Sequence, residues 1–243
     1  MSTDATDCIK TARQLRAAGR IRESYELVQK SEALSNQHLL LWQHQPFFWQ
    51  DIKGGNCLLT RRSSRDASFI RDLWQDRAFV RQFHRMAVKI PQESAVLQRI
   101  LDSEYVSLIG DRDSLHWTVR AGQGDPFGVL SLTNISMQHK RAEVLLGVRR
   151  DAPFALAPSA MLLVFRFFFK TMGFHKLYTL TFDDNPRALK GVLHLGFRKE
   201  GRLRDHFFDA ATGNFVDLVQ AGLLASDAFS TSNERMMRRL QLH

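Results

Sequence analysis

The spacing of apolar residues along this chain changes period several times, and each change predicts an element. Near the N-terminus Leu15, Ala18, Ile21, Tyr25, Val28 and Leu34 fall on related faces of a helical pattern interrupted at Gly19. The Gly19 to Ser31 portion resembles half of a tetratricopeptide repeat, but stacking needs about three copies, so residues 1–53 are expected to form a helical hairpin packed on the rest of the protein. Gln50 to Cys57 then reads as a linker into a strand from Leu58 to Arg61. From Ser63 to Glu104 the rhythm is helical again, with Asp66 placed to cap one helix running to Met86 and a second helix following Pro91. His116 to Val119 and Gly128 to Leu132 read as strands joined by a Gly- and Pro-containing turn, and Ala142 to Val148 as the next strand.

The stretch from Arg149 to Phe208 is the most informative. Pro158-Ser159 suits a first helical turn and Gly173 a helix stop, which predicts an apolar helix starting near Ala157 and running to Thr171. The free N–H groups of its first turn, together with the helix dipole, form an anion site where a phosphate could dock. Leu177 to Phe182 reads as a strand ending in Asp183-Asp184-Asn185, and Pro186 to Leu195 as a short helix that Asn185 can cap. Asp183 and Asp184 read as turn residues. Phe165, Phe167, Phe168 and Phe169 mark a helix buried between a sheet and other helices, with an acyl-chain pocket as the alternative.

Composition narrows the class. At 243 residues and 44% hydrophobic, the chain can bury one core with an appendage. Met161 to Phe169 is too short to span a bilayer. Cys8 and Cys57 have no framework around them, and Met1 to Lys10 holds acids without an apolar run, which reads as a cytoplasmic protein. The net charge of +9 favours an acidic partner, but the basic residues are scattered and no nucleic-acid motif accompanies them, so nucleic-acid binding is not expected. Neither cysteine has a second cysteine nearby and the histidines lack ligand spacing, so no metal site is expected.

Met172-Gly173-Phe174-His175, the strand to Phe182, Asn185, His194-Leu195-Gly196-Phe197, Glu200 to Arg204 and Asn214 to Asp217 follow one another as in the GNAT N-acyltransferases. The similarity covers roughly Leu58 to Leu224 and is greatest to the ribosomal-protein N-terminal acetyltransferases. Leu130 to Phe154 also looks like the branch that acetylates nucleotide-linked amino sugars. The resemblance implies an α+β GNAT fold: a mixed, mostly antiparallel sheet flanked by helices over residues 54–226, after the helical extension and before a basic tail at 227–243. It implies acetyl-CoA or another acyl-CoA as donor and a primary amine as acceptor.

It also implies roles for particular residues. Leu146, Gly147 and Val148 would pair with the donor's pantetheine amides. Arg149, Arg150, Phe154, Ala155, Leu156, Ala157 and Ser159 would hold its phosphates, and Asn185 and Lys190 would contact it further along. Glu143 is the base candidate, alternatively a strand-edge glutamate paired with Lys140 or Arg141. Trp74, Phe79, Phe83, His84 and Met86 would line the acceptor side. Two departures qualify this picture. Where the family's phosphate loop carries glycine the chain has Ala155, which lacks freedom at positive φ, and Pro153 and Pro158 each remove an N–H. The tyrosine that usually protonates the leaving thiolate is missing at Gly191, Val192 and Leu193. His194 and His206 are the substitutes by sequence, with water or an unprotonated thiolate as the other routes. A carrier-protein donor, with one phosphate, would suffer less from the altered loop, and a non-catalytic binding module is the remaining alternative.

Overall fold

The computed structural model describes residues 51–83, 92, 94–96 and 114–242 apart from 123 and 137, with scattered positions between 10 and 27. The expected N-terminal hairpin, His84 and Met86 therefore lie outside the described residues.

Eight strands form one sheet: β1 (Ile52–Gly54), β2 (Cys57–Arg61), β3 (Leu115–Ala121), β4 (Asp125–Ser136), β5 (Arg141–Val148), β6 (Lys176–Phe182), β7 (Arg198–Asp209) and β8 (Asn214–Leu224). Their order is β1-β2-β3-β4-β5-β6-β8-β7. β5 and β6 run parallel while every other neighbouring pair is antiparallel. The mixed, mostly antiparallel α+β sheet expected from the sequence is the one observed.

Alternation along β5 assigns the two faces. Ala142 and Val144 enter the main core with the helix α3 (Leu156–Phe165), whereas the backbone of Gly147 meets Phe79 and Phe83 of α2 (Arg77–Phe83). α3 is apolar on every side because it lies between the sheet and α6 (Thr231–Arg239), and it continues as a π-helical turn over Arg166–Thr171. The wider turn lets three consecutive residues, Phe167, Phe168 and Phe169, all be buried. Phe167 packs edge-on against Trp117 at 5.6 Å, Phe168 on Phe174 at 4.5 Å and Phe165 on Phe197 at 5.9 Å. The phenylalanines are core, and no acyl pocket is built from them.

Two expectations change. The stretch read as a linker contains β1, which pairs with β2 through a turn at Gly55, where φ is +53°. The single helix read from Asp66 to Met86 is broken at Asp76, separating α1 (Ala67–Gln75) from α2. Asp76 leaves the helical region, and its carboxylate accepts hydrogen bonds from the amides of Ala78 (2.9 Å) and Phe79 (3.1 Å), capping a new helix. Asp66 makes no side-chain cap. Its buried carboxylate accepts from the Ser63 amide at 2.9 Å and pairs with Arg120, whose guanidinium also donates to Thr60 Oγ1 at 3.0 Å and the Gly124 carbonyl at 2.7 Å.

α4 (Pro186–His194) leads into β7. After β8 come α5 (Ala225–Ala228) and α6, which bring Met237 and Leu242 into the core beside β1. Asn233 of α6 is 1% exposed and its Nδ2 donates to the carbonyls of Leu195 and Ala228, both at 2.9 Å, tying the end of α4 to the end of α5. Asn233→Ala strands both carbonyls and is expected to lower unfolding free energy by about 2 kcal/mol, read from a denaturant midpoint with an unchanged m-value.

Candidate active site

Among the described residues, the only parallel pair in the sheet is also its shortest internal pairing. β5 and β6 align at Arg141↔Lys176, Ala142↔Leu177 and Glu143↔Tyr178, and no further. Past that point β5 stays paired to β4 as far as Gly128↔Val148, and β6 to β8 as far as Phe182↔Leu218. The two strands thus diverge, leaving the inner edge of β5 from Val144 to Val148 without a ladder partner. Backbone groups on such an edge accept an extended amide-bearing ligand as a surrogate strand.

Glu143 stands at the apex of this wedge. It is 8% exposed, and its Oε2 accepts from Asn134 Nδ2 at 2.9 Å. Asn134 sits at φ +50° where the β4–β5 register slips between Thr133 and Ser136, so a bulge delivers the amide to the carboxylate. Burial pushes the Glu143 carboxyl above the ordinary glutamate range, while hydrogen bonds from Asn134 and Thr133 pull it partly back. No ion pair holds Glu143 among the described residues. Tyr178, its register partner, brings a phenol to the same level of the sheet.

The mouth of the wedge opens into a cleft of about 510 Å3 lined by Arg77, Ala78, Arg81, Gln82, Arg150, Asp184 and Asn185. Three elements converge there: α2, the turn after β5 and the turn after β6. α2 is seated by the Phe79 and Phe83 rings, 5.2 Å apart, which cover Gly147 so closely that an added Cβ would lie 2.6 Å from Phe83 Cδ2. Asn185 Oδ1 accepts from the Ala188 amide at 3.2 Å, capping α4 with Pro186 at its first position, and still lines the cleft.

The start of α3 follows Arg150. Among the described residues the amides of Phe154, Ala155 and Ala157 have no backbone partner, while that of Leu156 bonds the Pro153 carbonyl at 3.1 Å. Ala155 occupies the left-handed region at φ +71°, ψ −3°, as N-cap without a side-chain bond. The backbone conformation for which the family uses glycine is therefore adopted here by alanine, at a cost of about 1–2 kcal/mol. Arg149 is engaged by Asp151 at 2.6 Å, which leaves Arg150 to the cleft.

The remaining sequence candidates are dispersed. Ser159 is buried in α3 and Leu156 belongs to the core. Phe154 is fully exposed. Lys190 is exposed on α4, and His194 ends that helix, about 13.5 Å along its axis from Asn185. His206 is exposed on the irregular part of β7. Trp74 packs with Val129 on the α1 side of the sheet. Sequence reasoning missed Arg77, Arg81, Asn134 and Tyr178. The i, i+4 spacing of the two arginines, opposite an i, i+4 pair of phenylalanines, was the available signal for the first two. No group of His, Cys, Asp or Glu suited to a metal occurs among the described residues.

The acetyltransferase (GNAT) domain profile matches residues 57–198, more than half of the chain. The chain belongs to the GNAT acetyltransferases. It is thereby an acyl-CoA-dependent N-acyltransferase. No curated protein matches it in sequence. Among solved structures, spermidine N-acetyltransferase from Vibrio cholerae in complex with CoA and spermine is similar with a TM-score of 0.62 at 20% identity, over 72% of this chain and 99% of that one. A dodecameric structure of spermidine N-acetyltransferase from Vibrio cholerae in an intermediate state gives 0.59 at 20% identity, over 72% and 97%. At such identity the likeness is one of fold. Among the described residues no helix is long and apolar enough to cross a membrane.

Ala155→Gly removes the left-handed strain and is expected to raise unfolding free energy by about 1 kcal/mol, after the extra chain entropy of glycine is subtracted. A thermal melt at matched concentration checks it. An unchanged or lower midpoint would mean that the position is relaxed.

Proposed function

We propose that this GNAT protein moves an acetyl group from acetyl-CoA to the primary amine of a protein N-terminus or of a nucleotide-linked amino sugar. The observation that carries the reading is the unpaired inner edge of β5 beside a buried carboxylate at the apex of the wedge. The pantetheine arm lies along Leu146, Gly147 and Val148, with the thioester toward Glu143 and the phosphates toward Arg150 and the start of α3. The acceptor ammonium gives a proton to Glu143, directly or through one water. The free amine attacks the thioester carbonyl carbon, the C–N bond forms, the C–S bond breaks, and the second proton of the attacking nitrogen passes through water to the departing thiolate. Ionised Glu143 is the active form, and the Asn134 bond holds its orientation.

The charge of the mouth supports an acceptor other than a polyamine. Arg77, Arg81 and Arg150 line it in a chain of net charge +9, and like charges at about 4 Å repel by about 1 kcal/mol in water and 4 kcal/mol near a protein surface. A thiol-release assay with acetyl-CoA tests this against an N-terminal peptide, a UDP-linked amino sugar and spermidine. The peptide or the amino sugar should be turned over at least tenfold more efficiently than spermidine, and spermidine as the best acceptor would overturn the reading.

Glu143→Gln should lower kcat by about 100-fold or more while leaving the acetyl-CoA KM near wild type. Because burial raises the Glu143 carboxyl, kcat/KM of the wild type should fall with decreasing pH at a higher pH than an ordinary glutamate would give. The same raised value favours the folded state while the carboxyl is protonated. Stability due to it is full below the ordinary glutamate value and is lost as pH rises from there through the raised one. The Gln variant should lack that loss, which melts across pH will read.

A further inference from the structure

The mouth of the wedge carries more positive charge than amide pairing and proton transfer require. Three guanidiniums, those of Arg77, Arg81 and Arg150, face one cleft that among the described residues contains a single carboxylate, Asp184. Arg77 and Arg81 lie one helical turn apart on the same side of α2, and the opposite side is fixed to β5 by Phe79 and Phe83 on Gly147. The arginines are thus held to the cleft by apolar packing behind them. The backbone donors at the start of α2 are already taken by Asp76, so the positive character on this side belongs to side chains. Across the cleft the start of α3 offers the amides of Phe154, Ala155 and Ala157 but little side-chain charge, since Arg149 is engaged by Asp151 and Pro153 and Pro158 have no N–H.

We infer that Arg77 and Arg81 of α2, together with Arg150, form a phosphate-binding subsite at the mouth of the wedge. The subsite deepens, and rests on, the acyl-CoA reading given above. Guanidinium forks bind phosphate oxygens in pairs, and α2 adds charged side chains to the neutral backbone donors at the start of α3. Two ligands of this reaction class present such groups: the donor, with a diphosphate and a 3′-phosphate, and a nucleotide-linked acceptor, with a diphosphate.

The test is calorimetric binding of CoA, 3′-dephospho-CoA, pantetheine and UDP to the full chain and to an Arg77→Gln/Arg81→Gln double variant, at low and moderate salt. If the subsite serves the donor, the variant weakens CoA by about 10- to 100-fold, leaves pantetheine within about twofold, and flattens the salt dependence of CoA binding. If it serves the acceptor, CoA is unchanged and UDP binding to the CoA-saturated protein is lost. The Lys/Lys variant should restore part of either loss, which a fold defect would not allow. Variant and wild type binding both CoA and UDP alike would overturn the subsite while leaving the acyl-CoA reading intact. A wild-type protein that binds neither CoA nor UDP would overturn both.

Discussion

Separation of β5 from β6 beyond Glu143 and Tyr178 is the constraint on which the rest of the molecule turns. Each strand continues its ladder on the outer side, β5 to β4 and β6 to β8, after the two have parted. The inner edge of β5 therefore stays unpaired in a sheet that is otherwise continuous through eight strands. Unpaired backbone polar groups in a half-buried wedge cost free energy unless water or a ligand satisfies them. A donor carrying two amides in an extended arm removes that cost on binding, which is why the fold favours one shape of ligand before any side chain is considered.

Around that wedge the structure divides into a rigid interior and a strained rim. α3 is locked by aromatic contacts through its π-helical end, so its first turn is delivered to the mouth with little freedom. Of the five non-glycine residues at positive φ among the described residues, two stand beside the wedge: Ala155 at that first turn, and Asn134, where the bulge at φ +50° turns an amide toward Glu143. Bulky non-glycine residues are kept in this region only when surrounding packing over-determines them. Ala155 stands near the mouth of the wedge and Asn134 at its apex.

Much of this is legible from residue order, and the illegible parts have physical reasons. β6, α4 and its Asn185 cap are marked by strict alternation followed by Asn-Pro, a local signal that tertiary packing does not overwrite. The break at Asp76 is hidden because helical periodicity continues across it, and only the capping carboxylate reveals it. β1 is hidden because three residues beside two glycines carry no period at all. The need for positive φ at the start of α3 could be inferred from the family pattern, but that alanine accepts it could not. Histidines singled out by proximity in sequence fail to converge because α4 carries His194 away from the mouth and β7 turns His206 to solvent. Arginines that looked scattered along the chain meet because α2, the β5 turn and the β6 turn end at one place.

That convergence separates the fold from the choice of acceptor. The fold is shared with spermidine N-acetyltransferases, and a shared fold does not by itself fix the acceptor. Selection falls to the walls of the mouth, which come from α2 and from turns that vary without disturbing the ladders. Here those walls hold three guanidiniums against one carboxylate, and a polycation approaching the thioester must pass them. On the reading proposed above, an amine borne on a neutral or phosphorylated scaffold would meet no such barrier. The field of the mouth and the buried carboxylate would then act in sequence, the first concentrating the acceptor and the second taking the proton from its nitrogen.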